Sequence, residues 1–235
     1  MSWDRSFVLE LLPHLVTLVA AFSGAWFAFL LNDRAKARQT VRDQVAAINR
    51  AQFALIRQFN TLKVVQAQAV EPIRQHPGYH IAMRALLPLR DDAPELDLGS
   101  LSFLLETEDR ELLLELMIEN QRFKTAVQAI NERSRLHLDE VQPRLEPAGI
   151  REGGQYSESD CLKALGEPLY LTLKRATDAA IDHVDQSIVS CESLVARLYD
   201  AMKKRYPKQT IIRLDPNRPS NQRHPTAGGA VSGRG

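Results

Sequence analysis

The chain has 235 residues, 44% of them hydrophobic, 25% charged and only 6% aromatic, with a formal net charge of +1. Those totals exclude a chain of several large domains and bound it to one apolar anchor beside one soluble helical domain of ordinary size. Two cysteines, Cys161 and Cys191, stand thirty residues apart; on one continuous helix they would be ~45 Å apart and could not bridge.

Residues 1–10 hold a single basic side chain, Arg5, set against Asp4 and Glu10, and read as a short extracytoplasmic stub. Leu11 to Asn32 follow, 22 consecutive positions without a formal charge. A helix of that length spans roughly 30 Å, about the hydrocarbon thickness of a bilayer, so residues 11–32 are expected to form a transmembrane helix. A cleaved secretory signal fits less well, because the head lacks a basic excess and cutting near Ser23-Gly24-Ala25 would leave an apolar hexapeptide at the new terminus. Within the span Ala20, Gly24 and Ala28 repeat every four residues, a small-residue stripe that lets helix axes approach closely and marks a candidate association face.

Orientation follows from the basic residues near the span. One precedes it, whereas Arg34, Lys36, Arg38, Arg42 and Arg50 come within twenty residues after it. This bias places the N-terminus outside and the C-terminal side in the cytoplasm, with a bacterial inner membrane as the expected location. Residues 32–70 carry seven basic and two acidic side chains, and residues 91–120 one basic and ten acidic. The basic stretch adjoins the membrane, where each Lys or Arg gains up to ~1 kcal/mol from anionic lipid.

Three long periodic segments organise the rest, predicted as helices over about 33–70, 107–142 and 168–206 of a cytoplasmic bundle spanning 33–206. Val45, Ile48, Gln52, Leu55, Phe59, Leu62 and Gln66 alternate steps of three and four, as do Leu113, Leu116, Asn120, Phe123, Val127, Ile130, Ser134 and His137. The third stripe runs from Leu169 through Cys191 to Met202, with consecutive steps of four that locally unwind a supercoil. Cys191 thereby reads as a buried small hydrophobe. No glycine or proline lies between Asn32 and Val70, so the anchor is expected to run straight into the first cytoplasmic helix.

Thr107 is the expected N-cap of the second helix, Pro143 its end, and Pro168 the first turn of the third. Matched lengths of 36 to 39 residues predict an elongated antiparallel three-helix bundle, coiled-coil-like, with loop 143–157 near the bilayer and the irregular connection 71–106 at the far end. Within that connection Leu101 to Leu105 is expected to pack over the bundle end. Polar side chains on the seams, Gln52, Gln66, Asn120, Ser134 and His137, read as register-setting layers that trade stability for a unique alignment. Residues 207–235, rich in Pro, Gly, Ser, Asn and Arg, are expected to be a disordered tail. Its arginines lack interleaved aromatics, so nucleic acid is not an expected partner.

Motifs for catalysis are missing: no phosphate loop, no nucleophile elbow, no dinucleotide fingerprint and no paired CxxC. His76 and His80 are four apart, but Pro77-Gly78 between them breaks the helix that would bring them onto one metal. No cofactor, metal or enzymatic activity is expected. The sequence thus predicts an all-α, single-pass membrane protein acting as a non-catalytic scaffold or signal-coupling module. Its expected partners are the lipid bilayer and either a second copy or another membrane protein. The alternative is a membrane-perturbing effector of envelope stress or defence, whose anchors cluster on triggering.

Overall fold

The computed structural model describes residues 5–89, 96–150 and 156–213, and side chains from Val16 onward. Residues 1–4 of the expected stub and 214–235 of the expected tail lie outside the described residues. All regular elements among the described residues are helical. The chain divides into two compact units, residues 1–47 and 48–235, and the first helix, α1 (Arg5–Val65), contributes to both.

In the first unit α1 carries an 18-residue window of mean hydropathy 1.4, none of it buried. Val16, Val19, Phe22, Trp26 and Phe27 are all more than 60% exposed. The helix is long and apolar enough to cross a membrane. Gly24 meets nothing within 4 Å of where a Cβ would stand, and Ala20, Gly24 and Ala28 are exposed among the described residues.

The second unit is a helical bundle in which residues of α1 beyond Ile48 pack against α3 (Arg110–Leu136) and α6 (Glu167–Arg205). The stripes read from the sequence are its core. Ile48, Leu55, Phe59, Leu62, Leu116, Phe123, Ile130, Leu173, Cys191 and Leu198 are each at most 2% exposed. A second column flanks the first on α3, formed by Leu112, Glu119, Ala126 and Arg133, all buried. Heptad spacing returns these four to one side, and it is the side that meets α6.

Helix directions differ from the expected up-down-up order. Glu115 pairs with Arg197, Glu119 with Ser187 and Arg133 with Thr177, so α3 and α6 are antiparallel as expected. However, Gln66 and Arg74 both meet Asp185 and Asn49 accepts from the Ile212 N–H, so α1 is also antiparallel to α6 and therefore parallel to α3. The Gln58–Asn120 contact fits that register.

Two parallel helices require the chain to return between them, and the connection does so. His80 lies beside Arg133, the Leu86 N–H beside Ser134 and Leu89 beside Asn131, a run antiparallel to α3. By Asp97 the chain is again in electrostatic range of Arg50. Residues 80–89 of the connection thus lie along the bundle instead of capping one end, and residues 143–150 fall at the same end as residues 71–81. A short helix α2 (Tyr79–Ala82) and a 3₁₀ stretch, Gly99–Glu106, punctuate it. Leu101 and Leu104 of that stretch are buried, and the stretch packs against α3; Leu105, 58% exposed, does not share the burial.

Both prolines that follow the first two long helices are preceded by a widened turn. A π turn at Gln66–Val70 comes before Pro72, and another at His137–Val141 before Pro143. Proline lacks an N–H and its ring clashes with the carbonyl four residues back; one extra residue in the turn relieves both. Pro143 therefore does not end the helical path, which continues through α4 (Gln142–Leu145). Nor is Thr107 the N-cap of α3. Its hydroxyl donates to Leu104 O at 2.8 Å and accepts from the Asp109 N–H, closing the 3₁₀ stretch, and Asp109 precedes the first turn.

An unexpected short helix, α5 (Glu158–Leu165), precedes α6. Ser157 and Asp160 form a reciprocal capping box at its start, satisfying two N–H groups that helix geometry leaves without partners. Gly166 ends it at φ 76°, a backbone region that only glycine enters without strain, and Pro168 sits in the first turn of α6. Cys161 is consequently on α5 and Cys191 on α6, both buried and free.

Candidate functional site

A cavity of about 360 Å³ opens where the start of the connection meets α5 and α6. Its size is that of a small-molecule pocket. His80 and Ile81 come from α2, Cys161 and Glu158 from α5, and Tyr170 from α6, with Tyr156 just ahead of α5. The turn carrying His76, Pro77 and Gly78 completes the wall. That turn is self-supporting, because the Gly78 N–H donates to His76 Nδ1 at 3.0 Å and the Tyr79 N–H to His76 O.

His80 forms the floor. It is 3% exposed, and its ring stands edge-on to Tyr170 at 4.8 Å and to Tyr79 at 5.3 Å. Neither ring nitrogen has a hydrogen-bond partner among the described residues. Burial, reinforced by the positive charges of Lys174 and Arg133, holds its pKa below the ordinary value, while Asp178 and Glu158 oppose the shift. The imidazole is therefore neutral at pH 7 and offers one donor and one acceptor.

Polar neighbours of the floor are tied down. Tyr170 donates its hydroxyl to Glu158 Oε1 at 2.7 Å, and burial with this carboxylate pushes its pKa up to about 12. Tyr79 donates to Asp178, and its pKa is likewise pushed up to about 12, first by burial. The Cys161 thiol is raised by burial and then by Asp160, so it is a poor nucleophile. Behind His80 lies Arg133, fully buried, which donates from Nη2 to His80 O at 2.9 Å and from Nε to Thr177 Oγ1 at 3.3 Å. Burial alone pulls its pKa down to about 10, which leaves it cationic at neutral pH.

A second buried polar group lies between α3 and α6. Glu119, 1% exposed, accepts from Ser187 Oγ at 2.5 Å, from the Ser190 hydroxyl and from the Cys191 thiol at 3.2 Å. Arg122 Nη1 stands 3.8 Å from its other oxygen. Burial beside this carboxylate drives the Cys191 thiol far above its ordinary range, in keeping with an inert core cysteine. The group stitches two helices together and does not line the cavity described above.

The polar seam residues are dispersed. Gln66 donates to Asp185 and accepts from Lys63, Asn120 accepts from Gln58, and Ser134 accepts from the Leu86 N–H, each a partner outside the expected set. Gln52 is fully buried with neither amide atom bonded among the described residues. His137 is half-buried in the second π turn. None of the five lines the cavity.

The cavity was not legible in the sequence because its walls come from three separate stretches, 76–81, 156–161 and Tyr170. Sequence reasoning missed Glu119 and Arg133 although a signal was present: they recur with Leu112 and Ala126 at intervals of seven, beside the apolar seam. Among the described residues no three His, Cys, Asp or Glu side chains are grouped to hold a metal ion. No protein-family model, curated protein or solved structure matches the chain.

Proposed function

We propose that this chain is a single-pass membrane protein with its N-terminus outside, whose cytoplasmic bundle passes a signal between the membrane and a partner without catalysing a reaction. The observation that carries the reading is that α1 continues without a break from its exposed apolar window to the core positions Ile48, Leu55 and Leu62. A helix is stiff to twist over this length, so rotation of the apolar part would reach the core residues. Five basic residues after the window and one before it support the orientation. The partner is a second copy or another membrane protein.

A second reading, a membrane-perturbing effector whose anchors cluster, is favoured by the uncovered stripe around Gly24. Inserting one, two, three or four alanines after Asn32 separates the two, since each residue rotates the remainder of the helix by about 100°. Coupling predicts that in-cell crosslinking to the partner rises and falls with insertion number, recovering near four. Yield that is indifferent to insertion number contradicts coupling, and membrane depolarisation on expression supports the effector.

A further inference from the structure

Among the lining residues of the cavity, apart from the two imidazoles, the one formally charged side chain is Glu158. Its carboxylate is fixed at the mouth by the Tyr170 hydroxyl. The remainder of the wall is aromatic or apolar, with Tyr156, Tyr170, Ile81 and Cys161. Beneath them His80, 97% shielded, presents two nitrogens that no described residue satisfies. Leaving a buried acceptor nitrogen without a partner is destabilising, and a bound hydrogen-bond donor would satisfy it.

From this geometry we propose that the cavity is a binding site for a small organic amine with an apolar or aromatic body. The ammonium is held between the Glu158 carboxylate and the faces of the tyrosine rings, and one N–H donates to His80. Carboxylate and aromatic rings attract the same sign of charge, the first by Coulomb interaction and the second through the ring quadrupole. An anionic ligand would meet Glu158 without a lining Lys or Arg to offset it. Arg133 does not compete, because it lies outside the lining and two of its nitrogens are committed to His80 O and Thr177. Burial above all, with Lys174 and Arg133 adding to it, keeps His80 uncharged, and an uncharged imidazole has the lone pair that an ammonium requires. The inference stands on the second unit alone and is independent of the membrane reading.

The test uses the full chain in nanodiscs of zwitterionic lipid, titrated calorimetrically with 2-phenylethylamine, with the neutral 2-phenylethanol and with the anionic 3-phenylpropionate, against empty discs. The amine is expected to bind saturably and more tightly than either analogue. Glu158→Gln keeps an acceptor for Tyr170 and alters an exposed position, and it is expected to weaken the amine about tenfold or more while leaving helicity and melting unchanged. His80→Phe, which fills the floor without a lone pair, is expected to weaken it as well. Equal binding of the three probes, no saturable binding of the amine, or unchanged affinity in Glu158→Gln would each overturn the proposal.

Discussion

His80 shows how a single side chain can carry both a structural load and a measurable signature. Its folded pKa lies below the ordinary ~6.5 of histidine, so the unfolded chain binds the proton first as pH falls. Stability is therefore full above about pH 6.5 and declines as pH drops below that value toward the folded pKa. Burial is the main cause; Lys174 on α6 and Arg133 on α3 add to it, and Asp178 on α6 and Glu158 on α5 oppose it. The full chain in detergent should accordingly melt lower at pH 5.5 than at pH 7.5, and His80→Phe should flatten that difference. An equally steep decline in the variant would assign the titration to another group. Phe123, 1% exposed on the α3 seam, tests packing without charge: Phe123→Ala should cost about 3–5 kcal/mol by chemical denaturation. Both sites differ in legibility. Phe123 lies on a three-four alternation visible in the sequence, whereas His80 looks like one member of a proline-broken pair until α5 and α6 are brought beside it.

At the scale of elements, periodicity disclosed which faces are buried but not which way the helices run. Leu113, Leu116 and Phe123 would form the same stripe in either direction, and equal helix lengths favoured a simple zigzag. The deciding element was the connection, which leaves helical structure at Met83; non-helical chain advances up to about 3.3 Å per residue and can therefore run back along a helix in few residues. Asn131 holds it there, accepting from the Leu89 N–H at 2.8 Å and donating to Leu89 O at 3.0 Å, as a neighbouring strand would. Asn131→Ala removes both bonds at a cost of about 1–2 kcal/mol, and amide exchange at Leu89 should rise while that of the α6 core does not. Uniform exchange changes, or none, would contradict the clamp. The π turns were likewise invisible to a reading that treats proline as a full stop. Pro72 and Pro143 mark where a helix widens and goes on.

Two parts make up the molecule: an apolar helical window, none of it buried among the described residues, and a bundle whose interior holds the ionisable side chains Glu119 and Arg133. A helix long and apolar enough to cross a membrane was legible in the uncharged run Leu11 to Asn32. If the Ala20-Gly24-Ala28 stripe is a contact face, Gly24→Leu should weaken self-association in bilayers, measured by energy transfer between labelled copies, while Leu18→Ile should leave it intact. Equal effects of the two would remove the stripe from the account. Everything proposed for the function rests on α1 being inserted with the N-terminus outside. Both native cysteines are buried, so Ser2→Cys and Ser232→Cys can be labelled selectively with a membrane-impermeant maleimide in cells of the native host, followed by an alkaline carbonate wash. The account predicts labelling of Cys at position 2 in intact cells, labelling at position 232 only after permeabilisation, and retention of the protein in washed membranes; the reverse labelling pattern, or release by carbonate, would contradict it.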